Sequence, residues 1–166
     1  MAERQGQAAP DAVLTRIGQV VMLHHAGDRE EARHRFLGLW AELGEHGDPL
    51  HRCTLAHYLA DTHDDPADEL AWDLRALMAA EEAREAAVAV TAVTALYPLL
   101  HLDLADDYLG LGRGDAARTH LRWARDAAAA LADDSYGEGV WAAIARLEAR
   151  LGEDGPGTWT PPRQRP

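Results

Sequence analysis

The chain has 166 residues and carries 28 acidic residues against 16 basic ones, for a formal charge of −12. That balance argues against nucleic acid or an anionic membrane as partner, since both are gripped through basic side chains. No apolar run is long enough to span a bilayer free of charges, and the start MAERQGQAAP has no apolar stretch of the signal-peptide kind, so a cytoplasmic protein is expected.

Ala, Leu, Arg, Asp and Glu dominate and strand-favouring runs are almost absent, which predicts an all-α protein of one domain. Every basic residue is Arg and Asn is missing, a bias that points to a GC-rich bacterial source. Cys53 stands alone, so it is expected as a buried thiol without a disulfide.

Residues 1–10 and 153–166 are small, polar or rich in Gly and Pro, and are expected as disordered tails around a domain at 11–152. Within it, Gly, Pro and capping Asp residues divide the chain into helices expected at 11–26, 29–44, 49–63, 66–84, 98–111, 114–131 and 136–151. Apolar residues at helical spacing mark the buried stripes. They are Ala32, Phe36, Leu39 and Leu43; Leu70, Leu74 and Leu77; Ala117, Leu121, Ala124, Ala128 and Leu131; and Val140, Ile144, Leu147 and Leu151. Residues 83–96, AREAAVAVTAVTAL, either continue the preceding helix or form a separate one. Pro98 biases Tyr97 out of the helical region, so the next helix is expected to begin near Pro98.

The segment HAGDREEARHRF (25–36) aligns with GLGRGDAARTHL (110–121), placing Gly27 on Gly112, Ala32 on Ala117 and Phe36 on Leu121. A Gly turn, a small Ala that admits close helix approach and a large residue filling the seam form one physical unit. In these positions, together with Val20, Leu23, Leu104, Ala105, Tyr108 and Ala124, the chain resembles the tetratricopeptide repeat family over residues 13–131. A second unit, LAHYLADTH (55–63), aligns with LHLDLADDY (100–108) as a degenerate copy. The resemblance implies a short solenoid of about three antiparallel hairpins, closed by a capping helix that begins after residue 135.

It further implies that a ligand binds on the concave side, lined by the first helix of each hairpin. The corresponding positions are His24, His25, His57, Asp61, Asp64, Asp65, Asp106 and Leu109. Such an acidic groove suits a basic protein or peptide segment, because carboxylates take bidentate guanidinium contacts. The chain carries no HExxH, phosphate loop, CxxC or nucleophile elbow. The leading expectation is therefore a non-enzymatic adaptor with no catalytic residue, metal or cofactor. Two alternatives stay open. His57 and Asp61, four apart, with Asp64 and with His24 or His25 facing them, have the chemistry of an N/O-ligated divalent-cation site. Tryptophan-bearing outer faces would instead pair two chains as a homodimer.

Trp40, Trp72, Trp123 and Trp141 are expected to be buried between repeats, while Trp159 stands in the C-terminal tail. His101 and His120 are read as packing or partner-facing residues, and His34, His46 and His51 as lying near helix surfaces or turns, with service to its helix start an equal alternative for His51.

Overall fold

The computed structural model describes residues 11–153, and the expected tails, with Trp159, lie outside them apart from Glu153. Among the described residues there are seven helices and no strand: α1 (Ala12–His25), α2 (Arg29–Leu43), α3 (Pro49–Asp61), α4 (Pro66–Glu85), α5 (Val90–Gly110), α6 (Gly114–Ala128) and α7 (Ser135–Glu153). None is long and apolar enough to cross a membrane. Each helix packs chiefly on its neighbours in sequence, and α1 also reaches α3 as α5 reaches α7.

Local chemistry fixes the ends. Asp11, Asp48 and Asp65 each accept a backbone N–H of the helix that follows, and Pro49 and Pro66 occupy first-turn positions where a missing N–H costs nothing. Helices α1 and α5 close alike. The N–H of Asp28 donates to the Leu23 carbonyl at 3.3 Å and that of Arg113 to Tyr108 at 2.8 Å, with Gly27 and Gly112 at φ of 101° and 73°. These are Schellman turns, in which the left-handed residue favours Gly.

Helix α4 ends by the same turn with Ala in the glycine position. Val88 N–H donates to the Ala83 carbonyl at 2.8 Å and Ala87 sits at φ 55°. The turn then allows α5 to start at Val90, so the helix does not begin near Pro98 but runs through it. The expectation failed because the local bias of a proline was outweighed by packing. Pro98 and Val93 are fully buried, and Leu96 and Tyr97 lie against the middle core.

Three apolar cores run along the chain. The first joins Ile17, Val20, Ala32, Phe36 and Leu39 to Leu55 and Leu59 of α3. The second is built on Cys53, Ala56, Ala76, Ala79, Ala80, Ala83, Val93 and Leu100, and the third on Ala105, Ala117, Leu121, Ala124, Val140, Ile144 and Leu147. Helices α3 and α5 each serve two cores, which leaves them without one clean apolar stripe. Cys53 is buried as expected, and burial pushes its thiol up to about 12.

Two expected stripes shift. Leu70, Leu74 and Leu77 are only half-buried, and the deeply buried residues of α4 are Asp73, Ala76, Ala79, Ala80 and Ala83. Alanines are the contact surface here because small side chains let α4 approach α3 and α5 closely. Trp40 and Trp72 are partly buried and meet edge to face at 5.1 Å, but Trp123 and Trp141 are 49% and 39% exposed, against expectation. Trp123 instead packs its ring at the surface edge-on against a pair of histidines. His101 Nδ1 and His120 Nδ1 are 3.2 Å apart, and Trp123 meets both rings edge-on. Burial, and then the neighbouring His120, lower the His101 imidazole to about 4, and burial also lowers His120.

Two predictions follow from these packings. Ala87→Gly should raise stability by about 1 kcal/mol, by removing the cost of a left-handed Ala, and urea unfolding would measure it. The histidine pair has folded-state values below the unfolded one, so its contribution is complete above about pH 6.5 and is lost as pH falls toward about 4. Unfolding curves of wild type and His120→Gln at pH 7 and pH 5 should show the wild type losing more stability between the two.

Candidate metal centre

Three helices each present a pair of ligating side chains one turn apart: His57 and Asp61 on α3, Glu69 and Asp73 on α4, Asp103 and Asp107 on α5. The spacing of four puts each pair on one helix face. Close packing of α3, α4 and α5 around the alanine core then turns five of these six side chains toward one another. One ligand atom from each of His57, Asp73 and Asp103 lies within 4.8 Å of the other two, and the same holds for Glu69, Asp73 and Asp107. Ligands at about 2.0–2.4 Å from a common ion are separated by no more than about twice that distance.

Asp73 and Asp107 are 3% and 5% exposed, the two buried carboxylates among the described residues. Asp103 Oδ2 stands 3.0 Å from His57 Nδ1. Asp73 Oδ1, Asp103 Oδ2, Asp107 Oδ2 and His57 Nδ1 are all shut off from solvent without a well-directed hydrogen bond. Among the described residues no ion pair brings an arginine to Glu69, Asp73, Asp103 or Asp107, and the chain has no lysine.

The electrostatics follow. Burial, then the Asp103 charge and a side-chain hydrogen bond with Asp107, push the Asp73 carboxyl far above the ordinary range. Asp107 is raised for the same first reason, and Glu69 by burial and then by Asp61 and Asp106. Burial opposes the charged form of His57, but Asp103 and Asp61 outweigh it and the imidazole is raised. A site this negative takes up protons or a cation. Hard carboxylate oxygens with one imidazole suit Mg²⁺ or Mn²⁺ better than a thiolate-seeking ion. His57 also lines a mostly apolar cavity of about 230 Å³ beside Tyr58, Leu100 and Tyr136.

The residues expected to form a groove have other surroundings. Asp64 pairs with Arg29, whose guanidinium also donates to the carbonyls of Asp61 and His63 and so ties the α3–α4 turn to α2. Asp65 caps α4, and Asp106 pairs with Arg150 of α7. Leu109 is half-buried against the third core. Burial raises the Asp61 carboxyl, an effect that His57 and then His24 and His25 partly offset, the rings of the latter two lying 6.0 Å apart. Of the cation set expected from sequence, His57 joins the cluster, Asp61 stands exposed at its edge, and Asp64 points to Arg29. Of the two readings of His51, its contact is not with its own helix start: its Nε2 meets the α1-capping Asp11 at 2.6 Å.

Glu69, Asp73, Asp103 and Asp107 were not singled out in the sequence. The signal was there as two further acidic pairs at spacing four, ELAWD and DLADD, in register with HYLAD. Comparison with protein-family models, curated proteins and solved structures gave no match.

A buried acid held for ligand binding costs stability when the ligand is absent. Asp73→Asn, measured in chelator at pH 7.5, should therefore be more stable than wild type by about 1 kcal/mol in urea unfolding. A loss of that size would instead make Asp73 a structural hydrogen-bonding group.

Proposed function

We propose that the protein is a divalent-cation-binding helical-repeat protein, its cation held by α3, α4 and α5 at the middle of a tetratricopeptide-like stack capped by α7. The observation that carries the reading is Asp73: a carboxylate 3% exposed whose Oδ1, among the described residues, has no hydrogen-bond partner, facing three further acids that no described arginine pairs with. A solvated acidic surface explains exposed carboxylates, but it does not explain one held in the core. The solenoid reading is supported by the two matching Gly turns and by the α1–α3 and α5–α7 contacts that join alternate helices. The proposed activity is binding, and no reaction is assigned.

A scaffold for a basic protein segment is the second reading. The exposed acids Asp61, Asp64, Asp65 and Asp106 favour it, although arginines of the same chain already meet Asp64 and Asp106.

The test is calorimetric titration of chelator-treated protein with Mn²⁺ and with Mg²⁺, alongside thermal unfolding. Saturable heat and a rise in Tm are expected; occupancy at a hundred times Kd adds about 2.7 kcal/mol. Asp103→Asn should weaken binding at least tenfold, while the exposed control Glu45→Gln leaves it unchanged. No heat and no shift with either ion would refute the cation reading.

A further inference from the structure

We propose that the centre holds two divalent cations bridged by the Asp73 carboxylate. The inference rests on the cation-binding reading above and extends it from a site to a dinuclear one.

The geometry divides the ligands into two sets that share one residue. His57 and Asp103 meet Asp73 from α3 and α5 in one set, and Glu69 and Asp107 meet it from α4 and α5 in the other. The five side chains do not close into a single set within that distance, so one ion does not reach all of them. A carboxylate has two oxygens and can give one to each of two ions. Ions so bridged sit about 3.5–4 Å apart, the spacing of two-metal centres. The helical register supplies this arrangement. Asp103 and Asp107 are one turn apart on α5 and fall in different sets, and Asp73 on α4 belongs to both.

Charge supports the same count. Glu69, Asp73, Asp103 and Asp107 together carry four negative charges when ionised, which two divalent cations neutralise and one does not. Asp73, the residue common to both sets, is also the most deeply buried of them, and its Oδ1 has no hydrogen-bond partner among the described residues. The two positions differ in chemistry. The set with His57 offers one imidazole and two carboxylates, and the set with Glu69 offers oxygen alone, so the first should prefer Mn²⁺ over Mg²⁺ more strongly than the second.

The experiment is equilibrium dialysis of the chelator-treated full chain against Mn²⁺, with bound metal counted by mass spectrometry and the loaded protein examined by electron paramagnetic resonance. Wild type should hold two Mn²⁺ per chain and give the spectrum of an exchange-coupled pair. Asp103→Asn and Asp107→Asn should each hold one ion and give the spectrum of isolated Mn²⁺. Asp73→Asn should lose the coupling and retain less than one ion. The two half-loaded variants decide the question by themselves if Asp73→Asn fails to fold by circular dichroism. One ion per wild-type chain would overturn the bridge while leaving a mononuclear site standing. Two uncoupled ions, or two ions unaffected by any of the three substitutions, would also overturn it. No bound ion at all would remove the underlying reading itself.

Discussion

Carboxylates repel one another, and the cost grows as water is withdrawn, so the meeting of Glu69, Asp73, Asp103 and Asp107 is the constraint around which the middle of this protein is built. Two of the four are almost wholly shielded from solvent, and His57 brings a balancing proton-carrying group to Asp103. Apolar burial elsewhere must hold these acids in place. The three cores do so by fixing α3 and α5, each of which is packed on two sides.

The same packing explains why the acids meet at all. Ala56 on α3 and Ala76, Ala79, Ala80 and Ala83 on α4 leave no bulk between helices, so the helices come close along their shared length. Asp73 continues the line of alanines toward the N-terminal end of α4, and it is carried into the interior as they are. The α4–α5 turn completes the geometry. It uses a left-handed Ala87, and then an α5 that begins eight residues before Pro98, and on that helix Asp103 and Asp107 each come within 4.8 Å of Asp73. Local strain in that turn is accepted in return for the helix register beyond it.

Much of the fold was legible in the sequence. Asp-Pro pairs marked the starts of α3 and α4, Gly27 and Gly112 marked two Schellman turns, and the stripe Val140, Ile144, Leu147 and Leu151 marked the buried face of α7. The candidate centre was mostly not legible, for two physical reasons. In an alanine-rich helix the core face carries little hydrophobic contrast, so Leu70, Leu74 and Leu77 suggested a rotation of α4 that leaves Asp73 outside the stripe. On α5 the acids Asp106 and Asp107 are adjacent, and one position is a rotation of about 100°. That rotation sends Asp106 out to Arg150 and Asp107 into the core. Only the contacts of α5 with both cores decide between them, and those contacts are long-range.

The most direct measurement is a crystal structure of the Mn²⁺-soaked protein with an anomalous difference map recorded near the manganese edge. The expected result is density between α3, α4 and α5 within about 2.0–2.4 Å of the Asp73 carboxylate. The contradictory result is a map without such density, in which the Asp73 carboxyl is protonated and hydrogen-bonded to Asp107.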